Sequence, residues 1–156
     1  MDDLKRDNPG VVVPPPLIYL AMLLAGLLLH AAYPIRLLPG RVARIIGWPM
    51  IGSGLVLFGS AFRALDRAHT NVEPWKPATT IVSGGPYRYT RNPIYLGFTL
   101  VYAGIAVLVN ALPPLVLLPL ALSIIRRAVI DREERYLEQK FGDEYRRYKA
   151  RVRRWL

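Results

Sequence analysis

The sequence predicts an all-α membrane protein, with about four transmembrane helices and a cytoplasmic helical extension at its C-terminus. Of its 156 residues, 53% are hydrophobic, and they fall in long blocks rather than at amphipathic spacing, which is a membrane composition. Proline, glycine and charged residues punctuate these blocks where helices would enter or leave. The basic residues are also unevenly placed: 11 of the 21 Lys and Arg follow Ile125, beside a predicted span, where an anionic cytoplasmic leaflet favours them.

Taken in order, residues 1–13 mix acidic and basic side chains with Pro9 and Gly10 and read as a short polar tail without a signal-peptide pattern. Residues 17–32 form the first span, entered through Pro14 to Pro16 and left at Tyr33-Pro34. Arg36, Arg41 and Arg44 fill a short loop before a second span at 45–62. Gly52 and Gly59, seven apart with Ser60 beside them, predict a small-residue face on which another helix packs closely. Residues 63–92 are the longest non-apolar segment, and a loop of that length is unusual unless it has a function. The third span covers 93–109, a tight turn follows at Asn110, and the fourth span covers 112–126 with Pro119 as a kink. No breaker separates Arg126 from Arg135, so the last helix continues into water. Phe141-Gly142 ends or bends it, and a basic helix follows with Tyr145, Tyr148, Val152 and Trp155 near helical spacing, as in helices that lie on a membrane surface. The whole chain, 1–156, is one integral membrane domain, with loop 63–92 and tail 127–156 outside the bilayer.

Four spans place eighteen of the basic residues on one side and three on the other. By the positive-inside rule the long loop and both termini are cytoplasmic, and in a bacterium that location is the inner membrane. The net charge of +10 is accounted for by this clustering, so a nucleic-acid partner is not expected. Cysteine is absent, which excludes disulfides, thiolate metal sites and a cysteine nucleophile. His30 and His69 are the two imidazoles, too few and too isolated for a histidine metal site, and no metal is expected.

Chemistry is concentrated in Ser83-Gly84-Gly85-Pro86-Tyr87-Arg88-Tyr89-Thr90-Arg91-Asn92-Pro93-Ile94-Tyr95-Leu96-Gly97, a polar turn that passes directly into the third span. Its polar groups stand where hydrocarbon begins, so they need partners. A bound polar ligand would serve, and so would lipid phosphate and an interfacial aromatic belt. Glu133 and Glu134 share the cytoplasmic face with this turn. Carboxylates, arginines and a glycine turn together suit a zwitterionic or cationic ligand, while a solvated face of helical ion pairs accounts for the same residues.

The ordered set GPYRYTRNPIYLG, a helical hairpin, and REERYLEQKFGDEYRRYKARV resembles the C-terminal core of the isoprenylcysteine carboxyl methyltransferase-like family, itself similar to the phospholipid methyltransferases. The resemblance covers about residues 70–154. It implies an integral membrane enzyme that transfers methyl from S-adenosylmethionine to a lipophilic or membrane-partitioned acceptor at the cytoplasmic face. By that resemblance Thr79, Thr80, Ile81, Val82, Tyr87, Arg91, Asn92, Pro93, Ile94 and Tyr95 bind the cofactor together with Glu133 and Glu134. Arg127 or Arg132 orients the acceptor, and Arg127, Arg132 and Glu133 form the catalytic set. Where the family often has His-Pro this chain has Asn92-Pro93, and an amide cannot take up a proton.

Methyl transfer from a sulfonium removes positive charge, so alignment, desolvation and aromatic stabilisation of the cation suffice. Tyr87, Tyr89 and Tyr95 are suitable walls. A carboxylate acceptor is already nucleophilic, whereas an amine or thiol must first lose a proton. The alternatives are a phospholipid amine or small thiol as acceptor, and a non-catalytic membrane protein whose basic tail binds anionic lipid. A membrane reductase is disfavoured because no dinucleotide glycine fingerprint follows a strand. A polar cofactor would enter from the cytoplasm beneath loop 63–92 and the C-terminal helix, which would act as a lid, and a lipophilic acceptor would enter sideways between spans.

Overall fold

Proline at or near the start of three apolar runs sets where the helices begin, because the ring pre-forms the helical backbone and the missing N–H is an orphan there in any case. In the computed structural model, which describes residues 7–156, α1 runs Pro15–Ala32 and α2 runs Gly40–Arg67. A single 3₁₀ turn covers Gly85–Arg88, followed by α3, Pro93–Leu108, and α4, Leu112–Ile125. A π turn at Arg126–Ile130 carries α4 into α5, Asp131–Phe141, and α6 runs Asp143–Arg151. The described residues contain no strand. The first six residues of the expected polar tail lie outside them.

Three helices are long and apolar enough to cross a membrane: α1, α2 and the continuous helix from Leu112 to Phe141. Helix α3 is apolar but shorter, at 16 residues. Large side chains on α1, α2 and α4 point outward, among them Leu24, Leu28, Ile45, Trp48, Val56 and Val116. In water this surface would be a large exposed apolar patch; in a bilayer it is solvated by lipid.

The helices associate in two pairs, α2 with α3 and α1 with α4. Small residues allow the close approach that lipid-embedded packing requires. A Cβ added to Gly104 would lie 2.9 Å from the Ile51 nitrogen, and one added to Gly97 would lie 3.0 Å from the Gly54 carbonyl oxygen. Gly47 and Gly54 form the matching face of α2. This corrects the expected face: Gly52 and Gly59 have nothing within 4 Å of an added Cβ. The seven-residue spacing was the right signal, but a second set of glycines five residues earlier carries the same spacing and is the one turned toward α3.

Side-chain hydrogen bonds join the pairs. The Tyr19 hydroxyl donates to the Tyr95 carbonyl at 3.1 Å, linking α1 to α3, and the Tyr102 hydroxyl donates to the Pro114 carbonyl at 2.8 Å, linking α3 to α4. At the end remote from the polar turn, Asn110 Oδ1 accepts from the Leu37 and Leu38 backbone, and its Nδ2 donates to the Leu38 carbonyl at 2.7 Å.

Two boundaries move from their expected places. Helix α2 begins before Arg41 and ends at Arg67, so Arg41, Arg44, Arg63 and Arg67 all lie on it and the long loop shortens at its start. Pro49 sits within this helix without ending it. The expected continuation of the fourth helix beyond Arg126 is present, with the π turn inserted at Arg126.

Candidate functional site

Gly142 determines the shape of the polar end. Its φ of 52° and ψ of −121° lie where an L side chain is strained, and the chain turns back there so that α6 folds onto α5. Tyr145 and Tyr148 are buried as a result, at 2% and 5% exposure, and the Tyr148 hydroxyl donates to the Tyr87 carbonyl at 2.8 Å. Their helical spacing therefore packs against the polar turn rather than against lipid.

The last residues then close over the start of α3. The Arg91 N–H donates to the Arg153 carbonyl at 2.9 Å, and Thr90 Oγ1 and Asn92 Nδ2 both donate to the Arg154 carbonyl, at 3.1 and 2.9 Å. Arg154 reaches Glu134 through Nε and Nη2, at 3.0 and 2.6 Å, and Asp131 through Nη1 at 3.0 Å. Arg91 Nη1 stands 3.3 Å from Glu134 Oε1. Glu134 is thus a structural ion-pair centre, fully engaged by two guanidinium groups.

Above this knot lies a cavity of about 290 Å³, near the lower end of small-molecule sites, about 300–1,000 Å³. Of the residues expected to bind a cofactor, Thr80, Ile81, Val82, Tyr87, Arg91, Asn92, Pro93, Ile94, Tyr95, Glu133 and Glu134 line it. Thr79 does not: its Oγ1 donates to the His69 carbonyl and its N–H to Thr70 Oγ1, facing away. Arg127 is exposed on the π turn, and Arg132 is exposed with Nη1 donating to the Gly10 carbonyl at 2.9 Å; neither lines the cavity.

Glu133 lines the cavity and has no ion-pair partner among the described residues. Its Oε1 accepts from the Tyr95 hydroxyl at 2.7 Å. Burial raises its carboxyl from the ordinary 4.5 to about 7; the neighbouring Glu134 charge adds to the rise and the Tyr95 hydrogen bond opposes it. Burial, reinforced by the Glu133 charge, holds the Tyr87 phenol far above its usual range, so it stays a neutral donor. Burial likewise raises Tyr145, and raises Tyr148 to about 12. On the same wall Arg91 Nε is buried with no hydrogen-bond partner, while its Nη1 keeps the ion pair with Glu134 without hydrogen-bond geometry. A buried N–H without a partner is costly, and here the charge itself is offset by Glu134.

The opposite wall is apolar and was not anticipated. Phe58 and Phe62 of α2 and Phe98 of α3 line it, with Phe58–Phe98 centroids 5.0 Å apart in an edge-on arrangement. In the sequence these residues are indistinguishable from lipid-facing aromatics. Tyr136 was also missed. Its hydroxyl accepts from the Ala78 N–H at 3.1 Å and donates to Asp7 Oδ1 at 2.8 Å, tying both the long loop and the N-terminal segment to α5. No group of three or more metal-ligating residues occurs among the described residues.

The model of the phospholipid methyltransferase family matches residues 42–144. A Haemophilus influenzae protein described as an uncharacterized protein is 70% identical over 33 residues, which are 21% of this chain and 52% of that relative. The chain therefore spans about half the length of that relative. No solved structure matches the chain.

Proposed function

The chain belongs to the phospholipid methyltransferase family, and from that premise we propose that it transfers a methyl group from S-adenosylmethionine to a lipophilic acceptor at the cytoplasmic face of the membrane. One observation carries the reading: a single cavity is lined both by Arg91, whose buried Nε has no hydrogen-bond partner, and by the Glu133 carboxylate, which has no ion-pair partner among the described residues. The amino-acid end of the cofactor bears a carboxylate and an ammonium group, which these two side chains complement. When bound, S-adenosylmethionine supplies a methyl group on a sulfonium that needs no metal and no covalent enzyme intermediate.

The residues divide the remaining tasks. Arg91 takes the carboxylate, and Glu133, oriented by Tyr95, takes the ammonium. Thr80 to Val82, Asn92 and Ile94 form the walls, and neutral Tyr87 offers an aromatic face to positive charge. Asn92 holds the start of α3 through the Arg154 carbonyl and carries no proton-transfer role. Phe58, Phe62 and Phe98 exclude water and receive the hydrocarbon part of the acceptor. The acceptor-orienting role expected of Arg127 or Arg132 requires the acceptor headgroup to rest outside the cavity, where both are exposed.

Calorimetry of S-adenosylmethionine binding to the detergent-purified chain tests this reading. Micromolar affinity, on the order of 8 kcal/mol, that is lost in Glu133→Ala supports it. Absence of binding by folded wild-type protein overturns it and leaves an anionic-lipid-binding membrane protein. With labelled cofactor, base-labile product marks a carboxylate acceptor, and base-stable product marks the amine of a phospholipid or a thiol.

A further inference from the structure

A second, shallower depression lies behind the cavity wall. Thr80, Ile81 and Val82 line both, so one thin segment separates them. Its floor is made of the small side chains of α2, Ser60 and Ala64, which leave room, and its rim carries Arg63 and Arg67 on one side and the exposed Ser83-Gly84 turn on the other. Arg63 and Arg67 are one helical turn apart, so they share a face.

The charge is of one sign. No carboxylate lines the depression, and among the described residues neither arginine has an ion-pair partner, whereas Arg91 and Arg154 are both paired. Both arginines follow directly on the apolar part of α2, which ends at Phe62. That is the depth at which lipid headgroups lie beside a spanning helix.

We propose that this depression is a binding site for the phosphodiester of an anionic membrane phospholipid, held by Arg63 and Arg67. Two guanidinium groups on one face suit phosphate oxygens, and the small-residue floor admits the group to a depth that a flat basic surface would not. The boundary position favours a lipid over a soluble phosphate. The site stands independently of the methyl-transfer reading, because none of its charged residues lines the cavity.

The test places the full chain in nanodiscs of mixed phosphatidylglycerol and phosphatidylcholine and counts retained lipid by native mass spectrometry. Wild type is compared with R63Q/R67Q and with R147Q/R151Q, which removes equal charge from exposed positions on α6. The expected result is retained phosphatidylglycerol on wild type and on R147Q/R151Q. Retention should fall about tenfold or more on R63Q/R67Q, since each basic contact near an anionic surface changes affinity severalfold. Melting of R63Q/R67Q in neutral detergent should match wild type, and if the double variant does not fold, each single substitution should still show a severalfold loss. Equal retention by the arginine variants, or loss confined to the α6 variant, overturns the proposal. Displacement of the lipid by inorganic phosphate, but not by chloride at equal ionic strength, overturns the lipid assignment in favour of a soluble phosphate.

Discussion

Glu133 and Glu134 are adjacent in the chain and on the same helix, yet the structure gives them opposite surroundings. Glu134 faces the knot, where Arg154 and Arg91 neutralise it and exposure falls to 6%. Glu133 faces the cavity with one hydroxyl for company. The first is saturated by ion pairs, whereas the second has none among the described residues, and the proposed cofactor role rests on that difference. A helix turns about 100° per residue, so consecutive carboxylates necessarily face different neighbours; which one meets the arginines depends on where α6 and the C-terminal residues dock.

Breaking the saturated side should have the largest effect. Glu134→Ala leaves the Arg154 and Arg91 charges without their shared partner, and removing one member of a buried pair costs about 3 kcal/mol. Denaturant titration in mild detergent should show that loss, and in Glu134→Gln/Arg154→Met the cost should be less than the sum of the single changes. Next comes the helix packing beneath both sites. Gly104→Val should cost about 1–3 kcal/mol through overpacking against Ile51, while Gly52→Val, at an open position, should change melting little.

On the incomplete side, Glu133→Gln should reduce cofactor affinity about tenfold to a hundredfold, the worth of a charged hydrogen bond, without lowering stability at neutral pH. Intact thermal unfolding beside weakened calorimetric binding is the signature; a large fall in melting temperature would make Glu133 structural like its neighbour. Titration sharpens the contrast. Because the folded-state value of Glu133 is raised, its protonated form contributes stability that is complete below about 4.5 and lost as pH rises through about 7. A cation bound beside it reverses that trend, so cofactor affinity should climb through the same window and level off above it. The smallest effect is expected from Arg127→Ala, within about 0.5 kcal/mol in stability because the side chain is exposed, and its melting temperature checks this.

The chain's own order made much of this legible. Long apolar runs bounded by proline specify helices and their lipid-facing surface, because burial in hydrocarbon depends on composition more than on partners. The density of polar groups from Ser83 to Tyr95 pointed to the cavity in part, since Tyr87 and Arg91 to Tyr95 line it, whereas Tyr89, expected as a wall, is exposed. The tertiary structure alone decided how those residues are shared. It chose Gly47 and Gly54 over Gly52 and Gly59, because helix rotation is set by the facing helix. It turned Tyr145 and Tyr148 inward through the Gly142 bend, made Phe58, Phe62 and Phe98 a cavity wall rather than a lipid surface, and left Thr79, Arg127 and Arg132 outside. It also separated Glu133 from Glu134 by closing the C-terminal carbonyls over Thr90 and Asn92. Each of these depends on a contact between residues distant in sequence, and no local pattern of charge or hydropathy encodes which of two equivalent faces such a contact will cover.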